Sequence, residues 1–170
     1  MNLPNHTVLE IWKSFVQQHP KYANTPRPPH FYFCDNKQDA NLCAELVVQN
    51  IKQATAPSVW WYEHYNESMP KVGYLFIITD WHGTAKAIIE ITKMKLARFK
   101  DVTEAFAYAE GEGDKSLTFW KKAHKEYYSR EMEKAGAYFN ENMLISCVSI
   151  SGQFSSPNNL LHRNKVFSNG

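Results

Sequence analysis

Two apolar runs separated by a short turn constrain this chain more than any other feature. Tyr74 to Thr79 is rich in aromatic and branched residues, Ala85 to Leu96 is a second and longer run, and Trp81-His82-Gly83 lies between them. Strands joined so closely must pair antiparallel, because a parallel return needs a crossover of a dozen or more residues. The longer run is almost continuously apolar at first and alternates later, as a strand does when its burial changes along its length. Phe31 to Cys34 reads as a short strand and Ile145 to Phe154 as the last one.

Helices surround this β-rich centre. Val8, Ile11, Trp12, Phe15 and Val16 fall on one helical face behind Thr7, a capping residue, and His19-Pro20 ends that helix. A second helix runs from about Lys37 to Gln49, with Ala40, Cys43, Ala44, Val47 and Val48 as its buried stripe. Asn50 is its left-handed stop. Pro57-Ser58 opens a short aromatic helix, Val59 to Tyr65. Thr103 caps another, and Asp114 or Ser116 caps a long one reaching about Lys134. This order of elements predicts an α+β fold, a barrel-like sheet with peripheral helices.

With 170 residues and 44% hydrophobic content, the chain is long and apolar enough for one globular domain. A formal charge of +2 without a block of like charges argues against a polybasic nucleic-acid arm, though a local basic patch stays open. Cys34, Cys43 and Cys147 form no Cys-x-x-Cys pair and read as buried structural thiols of a reducing compartment. The N-terminus has no basic-then-apolar signal and no run is long enough to span a bilayer, so the expected location is cytoplasmic, away from membranes. Asn5-His6-Thr7 and Asn66-Glu67-Ser68 match the glycosylation pattern and are taken as chance.

The densest chemistry lies in Ala109-Glu110-Gly111-Glu112-Gly113-Asp114-Lys115-Ser116-Leu117. One reading is a glycine-broken helix end followed by a capped helix. The other is a shaped acidic turn that presents a carboxylate to a site, since more acids are present than capping needs. Lys52 and Thr55 lie three apart after a helix stop. Either they are an exposed lysine and a turn threonine, or they share a cleft in which a base activates the hydroxyl. Trp60, Trp61 and Tyr62 are near enough in sequence to desolvate Lys52. The aromatics of Val59 to Tyr65 are core for the most part, with one or two at a cleft rim. The seven histidines show no metal-binding spacing, and His124 on an aromatic helix face reads as a hydrogen-bonded packing residue. No metal or cofactor is expected, and the phosphate-loop, dinucleotide and nucleophile-elbow fingerprints are missing.

Taken in order, several motifs resemble the ASCH domain family, of the PUA-like superfamily. They are Ala44-Glu45-Leu46-Val47 leading to Asn50-Ile51-Lys52-Gln53-Ala54-Thr55, then Pro70-Lys71-Val72-Gly73, then Phe99-Lys100-Asp101-Val102-Thr103-Glu104, and the acidic turn followed by Trp120 and His124. The acidic turn is similar to that of one bacterial branch. The resemblance implies a PUA-like β-barrel with peripheral helices over residues 31–154. Residues 1–30 would form an N-terminal helix and proline-rich connector, and 155–170 a flexible tail. It also implies a cleft for RNA or a nucleoside or nucleotide ligand. Some relatives are hydrolases, either of acetylated cytidine nucleosides or of RNA. The amidohydrolase's working lysine, threonine and glutamate would fall on Lys52, Thr55 and Glu112, with Glu110 as the alternative register. Substrate contacts are expected from Glu110, Ser58, Trp60 and Arg98. The sequence departs from the family at Asn50, usually glycine, at Ala56-Pro57-Ser58, where an arginine is common, and at Cys147-Val148, where a Cys-Glu is common. Two further readings stay open, a non-catalytic RNA-binding module and a small-metabolite-binding domain. The oligomeric state is not legible.

Overall fold

The computed structural model describes residues 5–155, so of the tail expected over 155–170 only Ser155 is described, and residues 156–170 lie outside the described residues. The helices are α1 (His6–Gln18), α2 (Lys37–Val48), α3 (Val59–Tyr65), α4 (Glu104–Glu110) and α5 (Leu117–Glu133). The strands are β1 (His30–Phe31), β2 (Ala54–Thr55), β3 (Leu75–Thr79), β4 (Ala85–Arg98) and β5 (Leu144–Ser155). They form one sheet in the order β1-β3-β4-β5-β2. The α+β expectation holds and the barrel does not. The sheet ends at β1 and β2, each two residues long and not bonded to one another among the described residues, so it stays open. Strands this short supply too few ladder bonds to close a cylinder.

The described chain divides into two compact units. One holds the residues up to Asn50, Leu75–Glu90 and the end of β5 from Gly152, and the other holds Ile51–Tyr74 and Ile91–Ser151. In the first unit, β3 and β4 form the expected antiparallel pair, with Ile77 opposite Ile88 and a bulge between Ile78 and Thr79. Asp80 holds the turn by accepting from the backbone N–H groups of His82 and Thr84, both at 3.0 Å. Val8, Ile11, Trp12 and Phe15 of α1 pack on Ile77, Ala85 and Ile88. Burial of each such side chain stabilises by about 1.5–3 kcal/mol. Asn5, rather than Thr7, caps α1. Thr7 stands inside the first turn and its hydroxyl accepts instead from the Ala85 N–H at 2.9 Å.

The second unit closes around Phe99, Val102, Ala107, Trp120, Tyr128, Met132 and Ile145. Thr103 and Ser116 cap α4 and α5 with their side chains, while Asp114 accepts from the Ser116 N–H at 2.8 Å just ahead of α5. Helix α3 begins at the predicted residue because the Ser58 hydroxyl accepts from the Trp61 N–H. It stops at Asn66, which takes the left-handed conformation.

Candidate functional site

The site lies within the second unit, and two backbone devices shape it, the first at the residue just ahead of that unit. Asn50 takes a left-handed φ of 59° and turns the chain out of α2 into an extended stretch. Along that stretch burial alternates. Lys52, Ala54, Ala56 and Ser58 are buried, Gln53 is exposed, and Thr55 and Pro57 are half-buried. Period two is what extended chain imposes. Residues 54 and 55 form β2 against Ser149 and Val148, a pairing too short to be seen without its partner strand.

The second device is Gly111, which ends α4 with φ 74°. A Cβ there would lie 2.6 Å from the Ile51 carbonyl oxygen, so only glycine permits this approach. The two segments are tied by the Gln53 N–H donating to the Ala109 carbonyl at 2.8 Å. Main chain therefore brings the acidic turn against the residues flanking Lys52.

The Lys52 side chain is 1% exposed and its ammonium lies between two carboxylates, donating to Glu110 Oε1 at 3.2 Å and to Glu112 Oε1 at 2.5 Å. Glu110 is likewise 1% exposed, whereas the Glu112 side chain keeps 21% of its surface in solvent. The other oxygen of Glu110 accepts from the Trp120 indole N–H and faces His124 Nε2 at 3.0 Å. His124 Nδ1 faces the Trp120 carbonyl oxygen at 3.0 Å, and its ring stacks on the Trp120 indole with centroids 4.0 Å apart. Both imidazole nitrogens thus meet acceptors, an arrangement fully satisfied only when both carry protons.

Titration follows from this geometry. Burial alone would raise the Glu110 carboxyl, but the charge of Lys52, then the charge and hydrogen bond of His124 and the bond from Trp120, hold it well below the ordinary carboxylate range. Burial alone would lower His124, but the charge and hydrogen bond of Glu110 outweigh it and raise the imidazole. With all four groups ionised the cluster holds Lys52 and His124 against Glu110 and Glu112, two charges of each sign.

Of the residues expected from sequence, Lys52, Glu110 and Glu112 are brought together. Thr55 sits in β2, and among the described residues its hydroxyl forms no bond with Lys52 or either glutamate. Ser58 is buried, capping α3 and donating to Glu131 Oε2 at 3.4 Å. Trp60 is half-buried, packs on the unit's core and stacks on His64 at 4.7 Å. Arg98 is exposed at the end of β4. His124 and Trp120 are the residues that sequence reasoning missed as members of the cluster. Their signal was present in an indole N–H and an imidazole one helical turn apart, downstream of an acid able to accept from both.

A sequence model of the ASCH domain matches residues 30–151. The chain belongs to the ASCH domain family. Two solved structures resemble this ASCH protein along nearly their whole length. An ASCH domain from Lactobacillus crispatus is 32% identical, with 89% of this chain and 97% of that one covered and a TM-score of 0.82. Protein EF3133 from Enterococcus faecalis is 26% identical, with 97% of each chain covered and the same TM-score of 0.82. No curated protein matches the chain. ASCH domains are a class linked to RNA binding. No helix among the described residues of this one is long and apolar enough to cross a membrane.

Proposed function

We propose that this ASCH protein is a hydrolase acting on RNA or a modified nucleoside, with N-acylated cytidine-type nucleosides as the first substrate class. The observation that carries the reading is the Lys52 ammonium held between a sealed carboxylate, Glu110, and a solvent-reaching one, Glu112. An ammonium so paired is a fixed positive charge rather than a base. Lys52 therefore serves as the electrostatic group that faces a developing oxyanion, and Glu112 is the group able to exchange protons with a bound ligand. Glu110, itself held by His124 and Trp120, fixes Lys52 from the closed side.

In this reaction a water oxygen attacks the acyl carbon while Glu112 takes the water proton. Negative charge moves onto the carbonyl oxygen beside Lys52. The carbon–nitrogen bond then breaks, and the amine leaves with the proton that Glu112 returns. The products are a carboxylic acid and the free amino nucleoside. Thr55 is assigned to position the water, Trp60 to the base and Arg98 to a phosphate or ribose. The test is turnover of acylated nucleosides and short RNAs by concentrated protein. Lys52→Ala and Glu112→Gln should each abolish it. The reading fails if every acylated nucleoside and RNA survives the wild-type protein intact.

A second reading, a non-catalytic RNA-binding module, has its own support. Lys93, Lys95, Arg98 and Lys100 are all exposed along and just beyond the second half of β4. A cationic strand of this kind neutralises phosphates, and its RNA affinity should fall steeply with added salt. Affinity that ignores salt would remove this reading.

A further inference from the structure

The second unit's chemistry leaves unused a pair of thiols in the first. The Cys34 and Cys43 sulfurs lie 3.7 Å apart, in van der Waals contact. Cys43 projects from α2 into the core and is 1% exposed. Cys34 is half-buried and stands three residues before α2. Its backbone has φ 65°, a left-handed conformation in which glycine, asparagine or aspartate is the relaxed choice. The segment is pinned on its far side by Asn36, whose side chain caps α2 by accepting from the Asp39 N–H at 3.0 Å. Cys34 thus combines an unfavourable backbone state with a sulfur held against a second thiol.

We infer that Cys34 and Cys43 form a peroxide-sensitive dithiol that closes to an intramolecular disulfide. A disulfide needs the sulfurs at about 2.05 Å, so the pair has to approach by roughly 1.6 Å. A peroxide first oxidises the more accessible Cys34 to a sulfenic acid, releasing one water from a hydroperoxide of hydrogen. The Cys43 sulfur then attacks the Cys34 sulfur, the sulfur–oxygen bond breaks, and a second water leaves with the Cys43 proton. Two thiols and one hydrogen peroxide give one disulfide and two waters. Cys147 belongs to the other unit and is a built-in control. Burial, then the charge of Glu110, pushes its thiol up to about 11, which keeps it protonated and slow to react at neutral pH. Closure would fasten the segment after β1 to α2. Tyr32 in that segment lines a concavity of about 470 Å³ with His30, Trp81 and His82, so one wall of it would stiffen.

The experiment treats the full chain with stoichiometric hydrogen peroxide at neutral pH. It then counts alkylatable thiols after unfolding and maps peptides without reduction. The expected result is a fall from three free thiols to one, a linked peptide pair carrying Cys34 and Cys43, and a free Cys147. Reductant should restore all three. Cys34→Ser should keep Cys43 and Cys147 fully alkylatable, and Cys147→Ser should leave the link unchanged. Three reactive thiols after peroxide would overturn the inference. So would a link that includes Cys147, a Cys34 carried only to the sulfinic acid, or a link found only between molecules.

Discussion

Replacing Glu110 with glutamine tests the charge cluster most directly, because the change keeps side-chain size and removes only the negative charge. The carboxylate accepts from three donors, namely Lys52, Trp120 and His124, through two oxygens. An amide has one acceptor oxygen and puts an N–H group toward the remaining donors. In the wild type, Lys52, His124 and Trp120 hold the Glu110 carboxyl well below its ordinary range, which stabilises the fold at neutral pH. Breaking a buried pair by removing one partner costs about 3–5 kcal/mol. Glu110→Gln should therefore lower the unfolding temperature by on the order of 10 °C. The sign of the pH dependence is fixed as well. A lowered carboxyl contributes stability that is present above its unfolded value and is lost as pH falls toward about 2. A raised imidazole contributes stability that is full below 6.5 and is lost as pH rises through its folded value. Wild-type stability should thus be greatest between about 4.5 and 6.5 with respect to this pair, and the variant should lose both flanks. Urea titrations from pH 3 to 9, together with the imidazole resonances of His124, measure both effects. An unchanged His124 titration in the variant, or a midpoint at pH 6 equal to the wild type's, would refute the cluster.

The other expectations are local. Gly111→Ala meets a Cβ position 2.6 Å from the Ile51 oxygen in a left-handed backbone, and should cost more than the about 1–2 kcal/mol of backbone strain alone. Gly136→Ala, also at positive φ but with nothing within 4 Å, isolates that strain term, and equal losses at the two positions would show that the approach to Ile51 is unimportant. Tyr128→Phe removes the donor to the buried Ala56 carbonyl and should cost about 1–3 kcal/mol in denaturant, with a neutral result pointing to a replacement donor. Asn5→Ala should lose about 1 kcal/mol through the uncapped start of α1, and no loss would mean that Thr7 had taken over the cap.

What was legible in the sequence was whatever is encoded locally. Helix α3 was readable because Ser58 and Asn66 mark its ends chemically. The β3–β4 hairpin was readable because the turn and both apolar runs are contiguous. Strand β2 was invisible because two residues have no periodicity, and only β5 makes them a strand. The barrel expectation, drawn from element order and family resemblance, failed because closure depends on pairings between distant segments that neither displays. Within the site, the acidic turn stood out by composition, whereas Lys52 was singled out chiefly by the family resemblance. The division of labour between Glu110 and Glu112 did not, because it depends on which carboxylate α5 covers. From its helix face alone His124 reads as packing, and it does pack on Trp120. Its second role needed the distance to Glu110.

The close approach of Gly111 to Ile51 carries a lesson for anyone scanning this chain by mutation. The residues that hold the acids against Lys52 include two with no side chain. Gly111 is set by the Ile51 backbone, and Gly113 by the Phe119 ring, 2.5 Å from where a Cβ would sit. A saturation screen for lost function should therefore return both glycines alongside the ionisable residues, although neither has a side chain to act on a substrate. Grafting Lys52, Glu110 and Glu112 onto another scaffold would transfer the functional groups and leave behind the main-chain contact that brings them together.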